Sequence, residues 1–385
     1  MDPVRADVAV VGAGIVGAAT AWALAEEGPD KSVVVVEAER PAWGASGRNA
    51  GFLLLGTHAD YASAVDALGR EAARRLWAFT QENLALAERL AEGADVGYTR
   101  SGSVIAAGDA DEAHRLDRSH TLLREDGVAS DLLGRADLRA RIGATGFSSG
   151  LFVPEGGTVN PARLVARALE ASGARVWTDA RVEAVSSSRT GVRLSLTGGG
   201  TVEAGQVALC LNAYLPQVRP DLAWTVRPVR AQMLATAPVA PLLSAPVYSH
   251  DGYYYVRQRA DGRVLVGGAR HRHVEAEVGY DDATTPALQA DLTAYLATHL
   301  PDAAAAPVER RWSGTMGFSP DGRPLLGDVP GVPGAVYATG FTGHGMGYGL
   351  RFGRLVARTL LGRPDEAAAL FDAARPFESD PRDCA

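Results

Sequence analysis

Val8-Ala9-Val10-Val11-Gly12-Ala13-Gly14-Ile15-Val16-Gly17 begins a unit that Val33-Val34-Val35-Val36-Glu37 completes. Gly12, Gly14 and Gly17 stand at G-x-G-x-x-G spacing. The pattern predicts a strand over 7–12, a helix over 14–27 stopped by Gly28-Pro29, and a second, fully apolar strand over 33–36. Each part suits a dinucleotide. Gly12 makes the tight turn, Gly14 lets backbone approach a pyrophosphate, and Gly17 lets helix and sheet pack closely. The helix N-terminus offers free N–H groups and partial positive charge to phosphates. Glu37, ending the second strand, can accept hydrogen bonds from ribose hydroxyls. An ordinary βαβ turn explains the glycines but not that acid.

With 385 residues, the chain can bury a large core and divide into about two domains. It is 46% hydrophobic and 22% charged, as globular proteins are. A net charge of −7 gives no overall field that would attract nucleic acid. Lys31 is the only lysine, which excludes Schiff-base chemistry elsewhere. Cys210 and Cys384 are far apart and form no metal or redox spacing. So few cysteines fit a reducing compartment, and with no signal peptide or membrane-spanning apolar run a cytoplasmic protein is expected. No metal site is expected, since His114, His120, His250, His271 and His273 lack suitably spaced partners.

After the ribose acid comes Trp43-Gly44-Ala45-Ser46-Gly47-Arg48-Asn49-Ala50-Gly51-Phe52-Leu53, small and glycine-rich. Such a stretch can run its backbone beside an extended ligand. Helical spacing predicts one amphipathic helix over 68–91. A strand pair is expected around Ser101-Gly102, and helix over 109–142. Asn160 reads as an N-cap with Pro161 at the first helical position. Strands are expected over 175–177, 182–185, 192–196 and 206–211. From Trp224 the pattern alternates, placing Val226, Pro228, Arg230, Gln232 and Leu234 on one side of a strand. A hairpin follows around Ala260-Asp261-Gly262, then a helix over 286–299; these predict an antiparallel sheet with one exposed face. The chain closes with a strand over 335–338, a second glycine-rich turn (Gly340 to Gly347), and a helix to about Leu361.

The N-terminal glycine motif, the Gly44–Leu53 loop and the Gly340–Gly347 turn together resemble the FAD-dependent D-amino-acid oxidase superfamily. The Gly156–Pro161, Leu209–Tyr214 and Trp312–Leu326 segments fit too. The nearest branch is that of glycine oxidase, sarcosine oxidase and related amine oxidoreductases. The resemblance implies a Rossmann-like FAD-binding domain interleaved with a mostly antiparallel β-sheet substrate domain. The expected boundaries are 1–95, 149–222 and 309–385 for the first, and 96–148 and 223–308 for the second. It assigns Glu37 and Ala38 to the adenosine ribose, and Gly12, Gly14, Ile15, Val16 and Gly17 to the pyrophosphate turn. Ala45, Ser46, Asn49, Ala50, Gly51, Phe52 and Leu53 would run towards the isoalloxazine ring. Val182 would meet adenine through its backbone, and Asn212 is expected near the cofactor. Gly343, His344, Gly345, Met346 and Gly347 would meet the flavin pyrimidine. The implied reaction moves a hydride from the α-carbon of a neutral amine to flavin N5, leaving an imine that water hydrolyses.

The sequence departs from the family at informative positions. Gly314 stands where covalent flavoproteins carry Cys, and Arg48 where others carry a linking His, so noncovalent FAD is expected. Met316 replaces a substrate-clamping arginine, Gly347 replaces a substrate lysine, and no oxygen-activating lysine is present. Either Arg48, Arg230 or Arg257 takes over the clamp, or the substrate lacks a carboxylate there. Arg48, Tyr254, Met316 and His344 are the expected substrate-side residues. The expected partners are a small amine or amino acid and oxygen or another electron acceptor. A dehydrogenase using another acceptor, a tRNA-modifying flavoenzyme and a non-catalytic nucleotide-binding module are the alternatives.

Overall fold

The structure, a computed structural model, describes residues 4–377; Cys384 lies outside the described residues. Two large sheets organise the chain. The first orders its strands Leu325–Asp328, Ala335–Thr339, Thr201–Leu209, Val4–Val11, Val33–Val36 and Arg175–Trp177. The last five run parallel, with Val11 opposite both Leu209 and Val36. The central segments Val8–Val11 and Val33–Val36 are wholly apolar and mostly valine, which suits burial on both faces. The alanine-rich helix Ile15–Glu27 packs on one face against Gly345–Leu360 and Pro161–Ser172. Asn160 caps the latter by accepting from Arg163 N–H, as its sequence predicts. Val182–Ser188 and Gly191–Leu196 extend the first sheet as an antiparallel ribbon beside Thr201–Leu209.

The second sheet orders Val308–Phe318, Arg227–Pro238, Arg263–Gly268, Tyr254–Gln258, Val247–Ser249, Ser103–Ala106, Ser149–Val153 and Asp131–Gly134. All its pairings are antiparallel except Val247–Ser249 with Ser103–Ala106. The architecture is the expected Rossmann-like sheet with a mostly antiparallel partner. Ser149–Val153 pairs with Ser103–Ala106, and Val308–Phe318 with residues 227–236, so both strands belong to the second sheet.

Other local expectations are corrected. The helix expected over 68–91 is present as Arg70–Ala91, and a helix that was not expected, Tyr61–Leu68, precedes it across Gly69 at φ +81°. Helix was expected across 109–142, but Ala110–Glu125 and Arg135–Ile142 flank the strand Asp131–Gly134. No hairpin forms at Ser101-Gly102; Ser103–Ala106 pairs with distant strands. Nor is the sheet open behind Arg227–Pro238. Helix Pro286–His299 packs there, and Arg230 makes a 2.7 Å ion pair with the fully buried Glu277. His271 stands in a short 3₁₀ turn, Arg270–Arg272, rather than at a strand end, and His273 Nε2 is hydrogen-bonded to Asp291 Oδ2 at 2.7 Å.

Candidate flavin-binding active site

Gly12, Glu37, Cys210 and Gly340 each follow directly, or within one residue, on a strand of the parallel sheet. The carboxyl ends of such strands are where doubly wound sheets bind ligands. Glycine is required at these crossings. A Cβ on Gly12 (φ +98°) would sit 2.7 Å from the Cys210 carbonyl oxygen. One on Gly17 would sit 1.9 Å from the Gly12 carbonyl, so the helix could not seat against the turn. Glu37 is braced by the same turn: its Oε2 accepts from Ala13 N–H at 2.7 Å and its Oε1 from Glu39 N–H at 2.9 Å.

A long cleft runs between the two sheets, enclosing about 1360 Å³ including the part open to solvent. Two helix N-termini reach it. Gly14, Ile15 and Val16 come from one, and Gly343 to Tyr348 from the turn and first helical turn of the other. Ala45, Ser46, Arg48, Asn49, Ala50 and Phe52 form one wall. Asn49 shapes that segment. Its Nδ2 donates to the Ala45 and Ser46 carbonyls at 2.9 Å, and its Oδ1 accepts from Gly51 N–H at 2.6 Å. Asn212, in left-handed backbone at φ +45°, accepts from Gly340 N–H at 3.1 Å and so fixes the second glycine turn. Gly12, Gly17, Glu37, Ala38, Gly51, Leu53 and Val182 lie outside this lining. Gly12 and Gly17 shape its floor, while Glu37 and Ala38 follow the Val33–Val36 strand and Val182 begins a ribbon strand.

The opposite wall comes from the antiparallel sheet. Met316, Gly314, Met233 and Tyr255 share its cleft-facing side, with Tyr248 beside them. Tyr254, expected here, is corrected by strand parity. It points through the other face, stacked on Tyr295 with ring centroids 4.2 Å apart. Tyr255 takes the cleft side, and Gly267 opposite it makes room, since a Cβ there would lie 2.2 Å from the Tyr255 ring. Burial pushes the Tyr255 hydroxyl up to about 12. His344 lies against Tyr248 (5.9 Å) and His58 (6.2 Å), and its Nδ1 lies 3.2 Å from the Thr342 carbonyl. Burial first, then the nearby His58 and Arg270, hold its imidazole down at about 4, so the ring is neutral at ordinary pH.

The three arginines offered as clamps are engaged. Arg48 lines the cleft but is tied to Asp282 (2.5 Å) and the Ser313 carbonyl (3.1 Å). Arg230 is the buried partner of Glu277. Arg257 donates to the carbonyls of Gly51 (3.2 Å) and Val159 (2.9 Å). Arg270 is the cation the sequence reading missed. It lines the cleft and rests over Tyr253 (5.0 Å) and Phe318 (4.8 Å). No ion pair or side-chain hydrogen bond engages it among the described residues. Asn83 was also missed. It is 1% exposed; its Nδ2 donates to the Met346 carbonyl at 3.0 Å and its Oδ1 accepts from Leu350 N–H at 2.8 Å, which orients the second helix N-terminus. Only its helical position was legible.

An α/β sheet that brings two helix N-termini to one cleft, roofed by an antiparallel sheet, defines a dinucleotide-dependent oxidoreductase class. Residues 7–359 match the family described as FAD dependent oxidoreductase, DAO, and the chain belongs to it. Glycine oxidase of Geobacillus kaustophilus is 29% identical over 97% of this chain and 96% of its own. Gamma-glutamylputrescine oxidoreductase of Escherichia coli is 28% identical over 94% and 85%. The glycine oxidase crystal structure from G. kaustophilus superposes with a TM-score of 0.81 at 25% identity, over 97% of this chain and all of that one.

The cofactor is thus FAD, and the cleft fits it. The glycines leave room that a Cβ would fill, and paired helix N-termini suit an anionic pyrophosphate and ring. Cys210, the one cysteine among the described residues, is buried with its thiol pushed up to about 12, away from the thiolate that a cysteinyl link to the flavin would need. Among those residues no group of acidic, His and Cys side chains could hold a metal, and no helix is long and apolar enough to cross a membrane.

Proposed function

We propose that this enzyme oxidises the C–N bond of a small amine or amino acid, with Arg270 receiving a substrate carboxylate in place of the arginine that Met316 displaces. The carrying observation is a half-buried guanidinium with no ion pair among the described residues, resting on Tyr253 and Phe318 and lining the same cleft as Met316 and the Gly343–Gly347 turn. FAD, when bound, supplies the hydride acceptor. The chain's own groups bind and orient. Tyr248, Tyr255 and Met316 exclude water, which strengthens the Arg270 attraction. Neutral His344 holds no proton that it would release near neutrality, so we assign it to packing and hydrogen bonding. The Ile15 and Gly345 helix ends hold anionic parts of the cofactor, with Glu37 on the ribose. The named activities of the glycine and γ-glutamylputrescine relatives support the substrate class.

A second reading makes the enzyme a dehydrogenase with an acceptor other than oxygen. It is favoured because Lys31 is exposed in the turn before Val33–Val36, which leaves no lysine at the cleft to promote reaction with oxygen. We place the activity in the cytoplasm, in keeping with the single, unpaired cysteine among the described residues. Anaerobic titration of the FAD-loaded protein with amines and amino acids tests the proposal. Bleaching of the flavin band by one of them is expected, and a spectrum that none of them bleaches overturns it. Admitting oxygen, then a dye acceptor, separates oxidase from dehydrogenase.

A further inference from the structure

Beyond Asn49 and Ala50, on the same side of the antiparallel sheet, lies a second cleft. Those two residues line both. Period-2 alternation sets its character. Tyr255 and Met316 face the first cleft; moving along the same strands by twos reaches Arg257 and Arg259 on one, and Gly314, Trp312 and Arg310 on the other. Arg263 joins them from the neighbouring strand, so four arginines meet one lining carboxylate, Asp261.

That carboxylate does not balance them. Asp261 lies 3.2 Å from both Arg259 and Arg263, and Glu309 takes Arg263 at 2.9 Å. Arg310 has no ion pair among the described residues. Arg257 is only 8% exposed, its Nε is buried without a hydrogen-bond partner, and its other contacts are the neutral carbonyls of Gly51 and Val159. A buried guanidinium without a counter-ion is costly, and an anion in the cleft would offset that cost. Guanidinium forks match phosphate oxygens in pairs. Trp312 and Leu265 supply an apolar surface beside them.

We propose that this cleft is a second ligand site that binds a phosphate group, back to back with the cofactor cleft across Asn49 and Ala50. The Gly51 carbonyl accepts from Arg257 and from Val159 N–H (2.8 Å), so drawing the guanidinium towards a phosphate is felt in the wall of the first cleft. The ligand is either free phosphate or an organic phosphate whose body lies on Trp312.

The FAD-loaded protein, its cofactor cleft filled, is titrated calorimetrically with inorganic phosphate, adenosine 5′-monophosphate and adenosine at constant ionic strength. Saturable binding of one phosphate per chain is expected, with adenosine not binding. Equal affinity for the two phosphates assigns a free-anion site; tighter nucleotide binding assigns an organic phosphate. Arg310→Gln and Arg259→Gln, both at exposed positions, should each weaken binding about tenfold while flavin content holds. Arg193→Gln, a distant surface control, should leave binding unchanged. Absence of saturable phosphate binding, or binding that neither cleft variant weakens, overturns the proposal.

Discussion

His344 sits where a titrating group would be most useful, yet its surroundings keep it neutral. Burial opposes the cation, and His58 and Arg270 add repulsion, giving a folded-state value of about 4. The unfolded value is near 6.5. Protons therefore bind the unfolded chain more readily, so the group's contribution to stability is complete above about pH 6.5 and declines as pH falls towards 4. In thermal melts between pH 4 and 7, His344→Gln should lose less stability on acidification than the parent; equal losses would contradict the assignment. Arg270 carries a different prediction. Removing a charged hydrogen-bond partner costs about 1.5–3 kcal/mol, so Arg270→Gln should raise KM for carboxylate-bearing substrates roughly 10- to 100-fold and leave simple amines nearly unchanged. Steady-state kinetics on matched amine and amino-acid pairs reads the difference. Glu37→Ala removes an acceptor of two backbone N–H groups as well as the proposed ribose partner. It should release FAD during dialysis that leaves the parent yellow. Tyr254 and Tyr255 show what a residue-scale reading lacks. Both are strand tyrosines, and only the register with Gly267 says which faces the cleft.

Among the elements, the helix Gly345–Leu360 does most to set the cleft's position, because it crosses Ile15–Glu27 at close range. A Cβ on Gly349 would lie 2.7 Å from Ile15 Cγ2, and one on Gly353 would lie 2.4 Å from Ala19 Cβ and 2.6 Å from Thr20 N. Gly353→Ala must push the two helices apart, at a cost of about 1–3 kcal/mol. Since both helix ends face the cleft, it should lower the melting temperature and weaken FAD binding together; a variant with parental values of both would show that the contact is slack. The turn and helix were legible from the glycine run and the apolar pattern, as were Pro286–His299 and the 254–268 hairpin. Less legible were elements whose local pattern is weak. Asp131-Leu132-Leu133-Gly134 is mostly exposed and becomes a strand only because Ser149–Val153 pairs with it. Tyr61–Leu68 was not expected at all, and only the positive φ of Gly69 sets this short helix apart from Arg70–Ala91.

At the scale of the molecule, the cleft lies between two sheets that contribute chain from widely separated parts of the sequence. The glycine motifs at both ends of the chain revealed the parallel sheet and its side of the cleft. The antiparallel wall depended on long-range register and on which arginines find partners, and neither is local information. This division has a thermodynamic consequence. A cofactor that touches both walls binds only when both are folded and docked, so its binding free energy adds to the stability of the whole rather than of one sheet. At a free FAD concentration 100 times its dissociation constant the gain is about 2.7 kcal/mol. In a chain of this size that corresponds to a shift of about 3 °C. Calorimetric melts of the apoprotein with increasing FAD should show the main transition rising with the logarithm of FAD concentration. If the cofactor spans the cleft, the unfolding of both sheets moves together. A transition that splits, with one part indifferent to FAD, would confine the cofactor's contacts to the parallel sheet.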